Sequence, residues 1–261
     1  MTGNILLACD ARGVATLTLN RPERRNAFDD AIIADLTAAL RQVAADTAVR
    51  VLVLSGAGTA FSAGGDLNWM RRMAGYGEAE NVADAMRLAT MLRTLNELPK
   101  PAIARVNGAA FAGGVGLICC CDIAVASADA VFSISEVRLG LVPATIGPYV
   151  TAAIGPRAAR RYCLTGETFA AAEALRLGLV HDAVPAAALD EAVERVVAAL
   201  LAGGPRAEAR AKRLIAETAD RPVTEEVMLL TARTIAAARA SDEGREGVTA
   251  FLERRKPAWR G

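Results

Sequence analysis

Residues 107–122 read NGAAFAGGVGLICCCD, and the reading of the whole chain turns on them. The stretch follows an apolar, strand-like run (Ala102, Ile103, Ala104 and Val106) and ends in an apolar run of helical length closed by Asp122. Between the two lies a glycine-rich turn, placed where a helix begins. Glycine permits close backbone approach and left-handed dihedrals. The first turn of a helix leaves N–H groups without intrahelical partners, free to point at an anion or at an oxygen gaining negative charge. Two readings stand open at this point. One is a tight strand-to-helix turn with small residues for packing; the other is a cradle for a carbonyl oxygen that becomes negative during reaction.

Upstream of this stretch, residues 5–9 and 14–19 flank the turn signal Asp10-Ala11-Arg12-Gly13 and read as a β-hairpin. A polar break at residues 20–26 is followed by Phe28, Ile32, Leu36, Leu40 and Val43 at helical spacing, with Asp29 and Asp30 suited to the amino-terminal turn. A β-branched run at residues 50–54 ends at Ser55-Gly56. Strand, strand, helix, strand favours an α/β fold. A second glycine turn, Phe61-Ser62-Ala63-Gly64-Gly65-Asp66-Leu67, comes next. Residues 70–80 are polar and glycine-punctuated and read as mobile. Val82, Met86, Ala89, Leu92 and Leu95 then mark a helix that Pro99 and Pro101 end.

Downstream, residues 122–126 and 131–134 read as strands and lead to Ser135-Glu136-Val137-Arg138. From Arg157 onward the pattern is mainly helical. Gly203-Gly204-Pro205 is the clearest boundary, dividing a core of residues 1–203 from a helical module of residues 204–261.

The 261 residues are 53% hydrophobic, enough for a sizeable core. Thirty basic and 29 acidic residues leave a formal charge of +1, which points to neither nucleic acid nor a charged membrane as partner. No signal peptide and no membrane-spanning run is expected. Of the five cysteines, Cys119, Cys120 and Cys121 are adjacent and read as reduced core packing in a cytoplasmic protein. The single histidine, His181, has no second ligand type beside it, so neither a metal site nor a Ser-His-Asp triad is expected.

Taken together, the two glycine turns, the strand ending at Glu136, and Thr165-Gly166-Glu167 with the helix after it resemble the enoyl-CoA hydratase/isomerase (crotonase) family. The match runs over nearly the whole chain. The resemblance implies a spiral of ββα units with a helical carboxy-terminal region used for trimer contacts, as a homotrimer or dimer of trimers. It also implies an acyl-CoA thioester substrate, with no cofactor beyond its CoA moiety. The thioester oxygen would be held by the N–H groups of Gly65 and Gly113. CoA would lie along Arg24, Arg25, Ala27, Ala63, Gly65, Asp66 and Leu67, with Phe251 and Arg254 completing the site, in this family sometimes from a neighbouring subunit.

One departure bears on mechanism. Typical hydratases of this family carry two glutamates. Glu136 stands at the later position, but the earlier is Gly116. A single carboxylate suits an enoyl-CoA isomerase as well as a hydratase. The wording of residues 113–118, 133–140 and 158–162 resembles bacterial members assigned to 3-methylglutaconyl-CoA or related branched enoyl-CoA hydration in leucine and isoprenoid breakdown. Three functions are therefore expected in this order: hydratase, isomerase, and a non-catalytic protein that keeps the CoA-binding fold. Few aromatics (4%) speak against the last as an RNA binder.

Overall fold

The computed structural model describes residues 3–260. It opens with the expected antiparallel hairpin, β1 (Ile5–Cys9) and β2 (Val14–Leu19), followed by α1 (Asp30–Ala45). Asp29 caps α1, its carboxylate accepting from the Ile32 N–H at 2.9 Å. Phe28, expected on the helix, lies just before it and serves the site instead. The face that packs inward is Ile32, Ile33, Leu36, Leu40 and Val43, as the periodicity implied.

Three units then repeat one plan. The first is β3 (Val51–Gly56), β4 (Ala60–Ser62), α2 (Leu67–Met73) and α3 (Glu78–Asn96). The second is β5 (Ala102–Val106), β6 (Ala109–Phe111) and α4 (Gly113–Cys120). The third is β7 (Ile123–Ser127), β8 (Val131–Ser133) and α5 (Gly147–Thr165), kinked at Gly155. Then come β9 (Thr168–Ala170), α6 (Ala171–Leu177), β10 (Asp182–Val184), α7 (Leu189–Ala202), α8 (Pro205–Thr218), α9 (Glu225–Ala240) and α10 (Asp242–Leu252).

In each unit the first strand joins one sheet and the second joins another. The six-stranded sheet runs β1-β2-β3-β5-β7-β10, parallel from β2 onward, and the four-stranded sheet runs β4-β6-β8-β9. Stacking units this way is the spiral of ββα units that the sequence implied. The main core, including Leu17, Leu52, Leu54, Phe61, Ala104, Leu117 and Phe132, sits among these sheets and α1, α3, α4 and α5. A second cluster, Val51, Val53, Ile103 and Val125 with Val193 and Val197 of α7, covers the other side of the six-stranded sheet. A parallel sheet covered on both faces explains the apolar run Val51–Leu54 in β3, while β5 is apolar except for Arg105, which pairs with Asp190.

The structure corrects several local expectations. Residues 70–80 do not form an open stretch: α2 runs through Met73 and α3 starts at Glu78. Along α3 the buried positions are Asp84, Met91, Leu92 and Leu95, whereas Val82 and Met86 are more than half exposed. Beyond Arg157 the chain is mainly helical, as expected, with the three-residue strands β9 and β10 adding to the two sheets. Among the described residues no helix is long and apolar enough to cross a membrane. All five cysteines are free, and burial pushes the Cys119 thiol up to about 12. His181 is exposed, and its Nδ1 accepts from the Ala124 N–H at 3.0 Å, a contact that ties the chain entering β10 to β7.

Candidate active site

The two glycine turns meet because the second strands of successive units are neighbours. β4 delivers residues 63–66 and β6 delivers residues 112–114, and the strands pair in parallel. Gly64 has φ +83°, and a Cβ there would press to 3.0 Å on the Ala112 side chain, so the close approach needs glycine. A Cβ on Gly114 would meet the Ser62 carbonyl at 2.7 Å. Phe28 holds the first turn from below: its N–H donates to Gly64 and its carbonyl accepts from Asp66, each at 2.6 Å. The same ring lies under Gly113. Ala112, just before Gly113, takes φ 49° and ψ −117°, a conformation disfavoured for a residue with a Cβ.

The result is a pair of free donors. Among the described residues, the N–H groups of Gly65 and Gly113 donate to no protein acceptor. Gly113 is the first residue of α4, where the helix leaves such groups open and its dipole favours negative charge.

Glu136 follows β8 and opens a short 3-10 turn, Glu136–Leu139. Its Oε2 is buried and has no hydrogen-bond partner. Burial therefore raises its pKa above the usual carboxylate range. The nearby Cys163 thiol is raised too, by burial first and then by the Glu136 charge. A partly buried carboxyl whose inner oxygen has no partner and whose pKa is shifted upward is suited to proton transfer.

Beside the first turn is a cavity of about 420 Å³ lined by Arg24, Ala27, Ala63, Gly65, Asp66, Leu67, Asn68 and Arg71. Six of these are residues that the family resemblance implies; Asn68 and Arg71 are additional. They lie on α2, and Arg71 stands one helical turn after Leu67, so continuing the helix past Asp66 would have found it. Asp66 organises the wall. It caps α2 through the N–H groups of Asn68 (2.8 Å) and Trp69 (3.3 Å), and it accepts from Arg24 (2.8 Å) and Arg21 (3.3 Å). Burial works to raise the Asp66 pKa, but Arg24 and the two amides outweigh it and hold the carboxylate ionised. Arg25 does not line the cavity; it is exposed, with φ 51°, and its carbonyl accepts from Ala63. Phe251, 81% exposed, and Arg254 sit at the end of α10 and also lie outside the cavity lining. A larger hollow of about 820 Å³, between α5 and α6, is lined by Arg157, Arg160, Arg161 and Arg176 and holds none of the candidate residues. No cluster of metal-ligating side chains occurs among the described residues.

Comparison with known proteins identifies the family. The family model for enoyl-CoA hydratase/isomerase matches residues 10–261. A crystal structure of an enoyl-CoA hydratase from Shewanella pealeana superposes with a TM-score of 0.96 at 42% identity, covering 99% of this chain and 97% of that one. The 2,3-dehydroadipyl-CoA hydratase of Escherichia coli is 33% identical, with 98% of each chain covered. The 1,2-epoxyphenylacetyl-CoA isomerase of the same organism is 34% identical, with 96% of each covered. Hydratase-type lyase chemistry leads among such relatives, with isomerase as runner-up. The chain is an enzyme of the enoyl-CoA hydratase/isomerase family.

Proposed function

We propose that the enzyme adds water to a 2-enoyl-CoA, with Glu136 as its acid/base and the N–H groups of Gly65 and Gly113 holding the thioester oxygen. The observation that carries this reading is the buried, partnerless Oε2 of Glu136. Protonated Glu136 gives its proton to the α-carbon as the water oxygen bonds to the β-carbon, and it takes the proton the water releases. Atoms and charge balance with one carboxyl. As the double bond is attacked, electron density moves onto the thioester oxygen, and two fixed donors stabilise it more there than in the substrate.

The CoA moiety is the only cofactor-like group this reading needs. Arg24 and Arg71 suit its phosphates, and the backbone of residues 63–67 suits its adenine edge. For the acyl group we propose 3-methylglutaconyl-CoA or a related branched enoyl-CoA, on the wording of residues 133–140, which would place the enzyme in leucine or isoprenoid breakdown. Free thiols suit a reducing, cytoplasmic setting. The helical module, residues 204–261, carries exposed Val248, Phe251 and Leu252 on α10 and Met228, Leu229 and Ile235 on α9. Apolar side chains gathered this way support burial against other copies in a homotrimer or dimer of trimers, which would bring Phe251 and Arg254 to a neighbouring CoA site.

Isomerisation by the same carboxyl is the second reading, since Gly116 offers no second acid/base and a single carboxylate suits either reaction. A panel of 2-enoyl- and 3-enoyl-CoA thioesters separates the two. Loss of the conjugated enoyl absorbance with a product heavier by one water supports hydration. Double-bond movement at constant mass overturns it in favour of isomerisation, and inertness toward every thioester overturns both.

A further inference from the structure

Gly116 is more than an absent carboxylate. It lies on α4, which packs against both α3 and α5. A Cβ built on it would overlap Cγ2 of Ile146, stand 3.0 Å from Ile146 Cβ and 3.6 Å from Leu92 Cδ2. Neither neighbour borders open space: Ile146 is 1% exposed and Leu92 fully buried. Ile146 is also fixed from its own side. It is the N-cap residue immediately before α5, and its carbonyl accepts from the Val150 N–H at 3.0 Å.

We infer that Ile146 sets the one-carboxylate design of this active site, because its branched side chain occupies the volume that any side chain at position 116 would need. The inference rests on the reading of Glu136 as the acid/base. A glutamate at 116 would meet two obstacles. One is steric, the Ile146 methyl group. The other is that the atoms nearest that Cβ, those of Ile146 and Leu92, are all apolar carbons, so the side chain would start against a hydrocarbon wall. A second carboxylate therefore needs a change at 146 as well as at 116. Ile146 acts here as a positioning residue: it confines proton transfer to Glu136 by closing the alternative.

The test is a cycle of substitutions read first by thermal unfolding. Gly116→Ala should lower the unfolding midpoint by several degrees in the wild-type background. In the Ile146→Leu background, which keeps volume but removes the branch methyl, the same substitution should cost less than half as much. Ile146→Ala gives a second background should the leucine fill the same space. Equal losses in all three backgrounds would overturn the inference, whatever reaction the enzyme performs, because this measurement needs no turnover. A functional readout follows. In Gly116→Glu/Ile146→Ala the pH–rate profile should gain a second ionisation limb absent from the wild type. Adding Glu136→Gln to that pair should leave turnover at least tenfold above Glu136→Gln alone. Gly116→Glu by itself, folding at the wild-type midpoint and acquiring the second limb, would also overturn it.

Discussion

Replacing either of the two glycines proposed to hold the thioester oxygen by alanine adds one methyl group, yet the two should differ sharply. At Gly113 the new Cβ would stand 2.7 and 2.9 Å from Cε2 and Cδ2 of Phe28. Carbon atoms rest at about 3.5–4.0 Å, so about 0.8 Å must be recovered by moving something. Phe28 cannot absorb it easily. It is 1% exposed, and its backbone holds Gly64 and Asp66 in place. Displacement therefore reaches both donors at once. Misplacing a catalytic group by about 1 Å costs about 10²-fold, and loss of one oxyanion donor about 10²–10³-fold, or about 2.7–4 kcal/mol. Overpacking adds about 1–3 kcal/mol of lost stability. At Gly65 the new Cβ would meet chiefly Met70 Cε at 2.7 Å, the far end of a flexible side chain, and the residue has no positive φ. Gly65→Ala should keep kcat within about threefold, since an unbranched thioether adapts readily. Steady-state hydration of an enoyl-CoA, with unfolding midpoints alongside, measures both. A Gly113→Ala enzyme with kcat near wild type would refute the placement of that N–H at the reacting oxygen.

Three further outcomes are expected. Arg71→Ala should raise KM for acyl-CoA about tenfold with little change in kcat, because a charge-assisted contact is worth about 1.5–3 kcal/mol and lies far from the reacting carbons; an equal loss in kcat would place Arg71 elsewhere. Ala112→Gly should raise stability by about 1 kcal/mol, relieving φ 49° at a modest entropic penalty, and a lower unfolding free energy would show that the turn is unstrained. Glu208 supplies a pH test. Burial, opposed by Arg50 and reinforced by Glu243, raises its pKa to about 7, and its Oε2 has no partner. Its folded-state pKa lies above the unfolded value, so the protonated form favours folding. That contribution is whole below about pH 4.5 and is lost as pH rises through about 7. Glu208→Gln should thus stabilise the protein relative to wild type at pH 8 but not at pH 4.5; a constant difference across that range would contradict it.

Much of this architecture is written locally. The hairpin around Asp10 to Gly13, the amphipathic α1 and the apolar β3 and β5 follow from period and turn chemistry, because each is decided by neighbours within a few residues. The four-stranded sheet is not. Its strands are three residues each, too short to show alternation, and they exist because partners about 20–50 residues away pair with them. The site divides the same way. The turns at Gly65 and Gly113 stand out as glycine-rich breaks, but that they meet depends on the pairing of β4 with β6. Glu136 came from resemblance, as an isolated glutamate at a strand end carries no local signal; its partnerless oxygen appears only in three dimensions. The spacing of Phe28 to Ile32 fits a helical face, whereas Asp29 caps the helix after it and leaves Phe28 outside. The contact between Gly116 and Ile146 joins two helices through residues 30 positions apart, and no pattern in either segment announces it.

In the proposed reaction one carboxyl, that of Glu136, carries the proton chemistry. Glu136→Gln keeps shape and volume while removing the ionisable group, so it should unfold at the wild-type midpoint and bind acyl-CoA with unchanged affinity. Its turnover of 2-enoyl-CoA to a product heavier by one water should fall by at least about 10³-fold, in the range expected for loss of a general acid–base. A folded Glu136→Gln enzyme that hydrates the same thioester at the wild-type rate would contradict the claim directly.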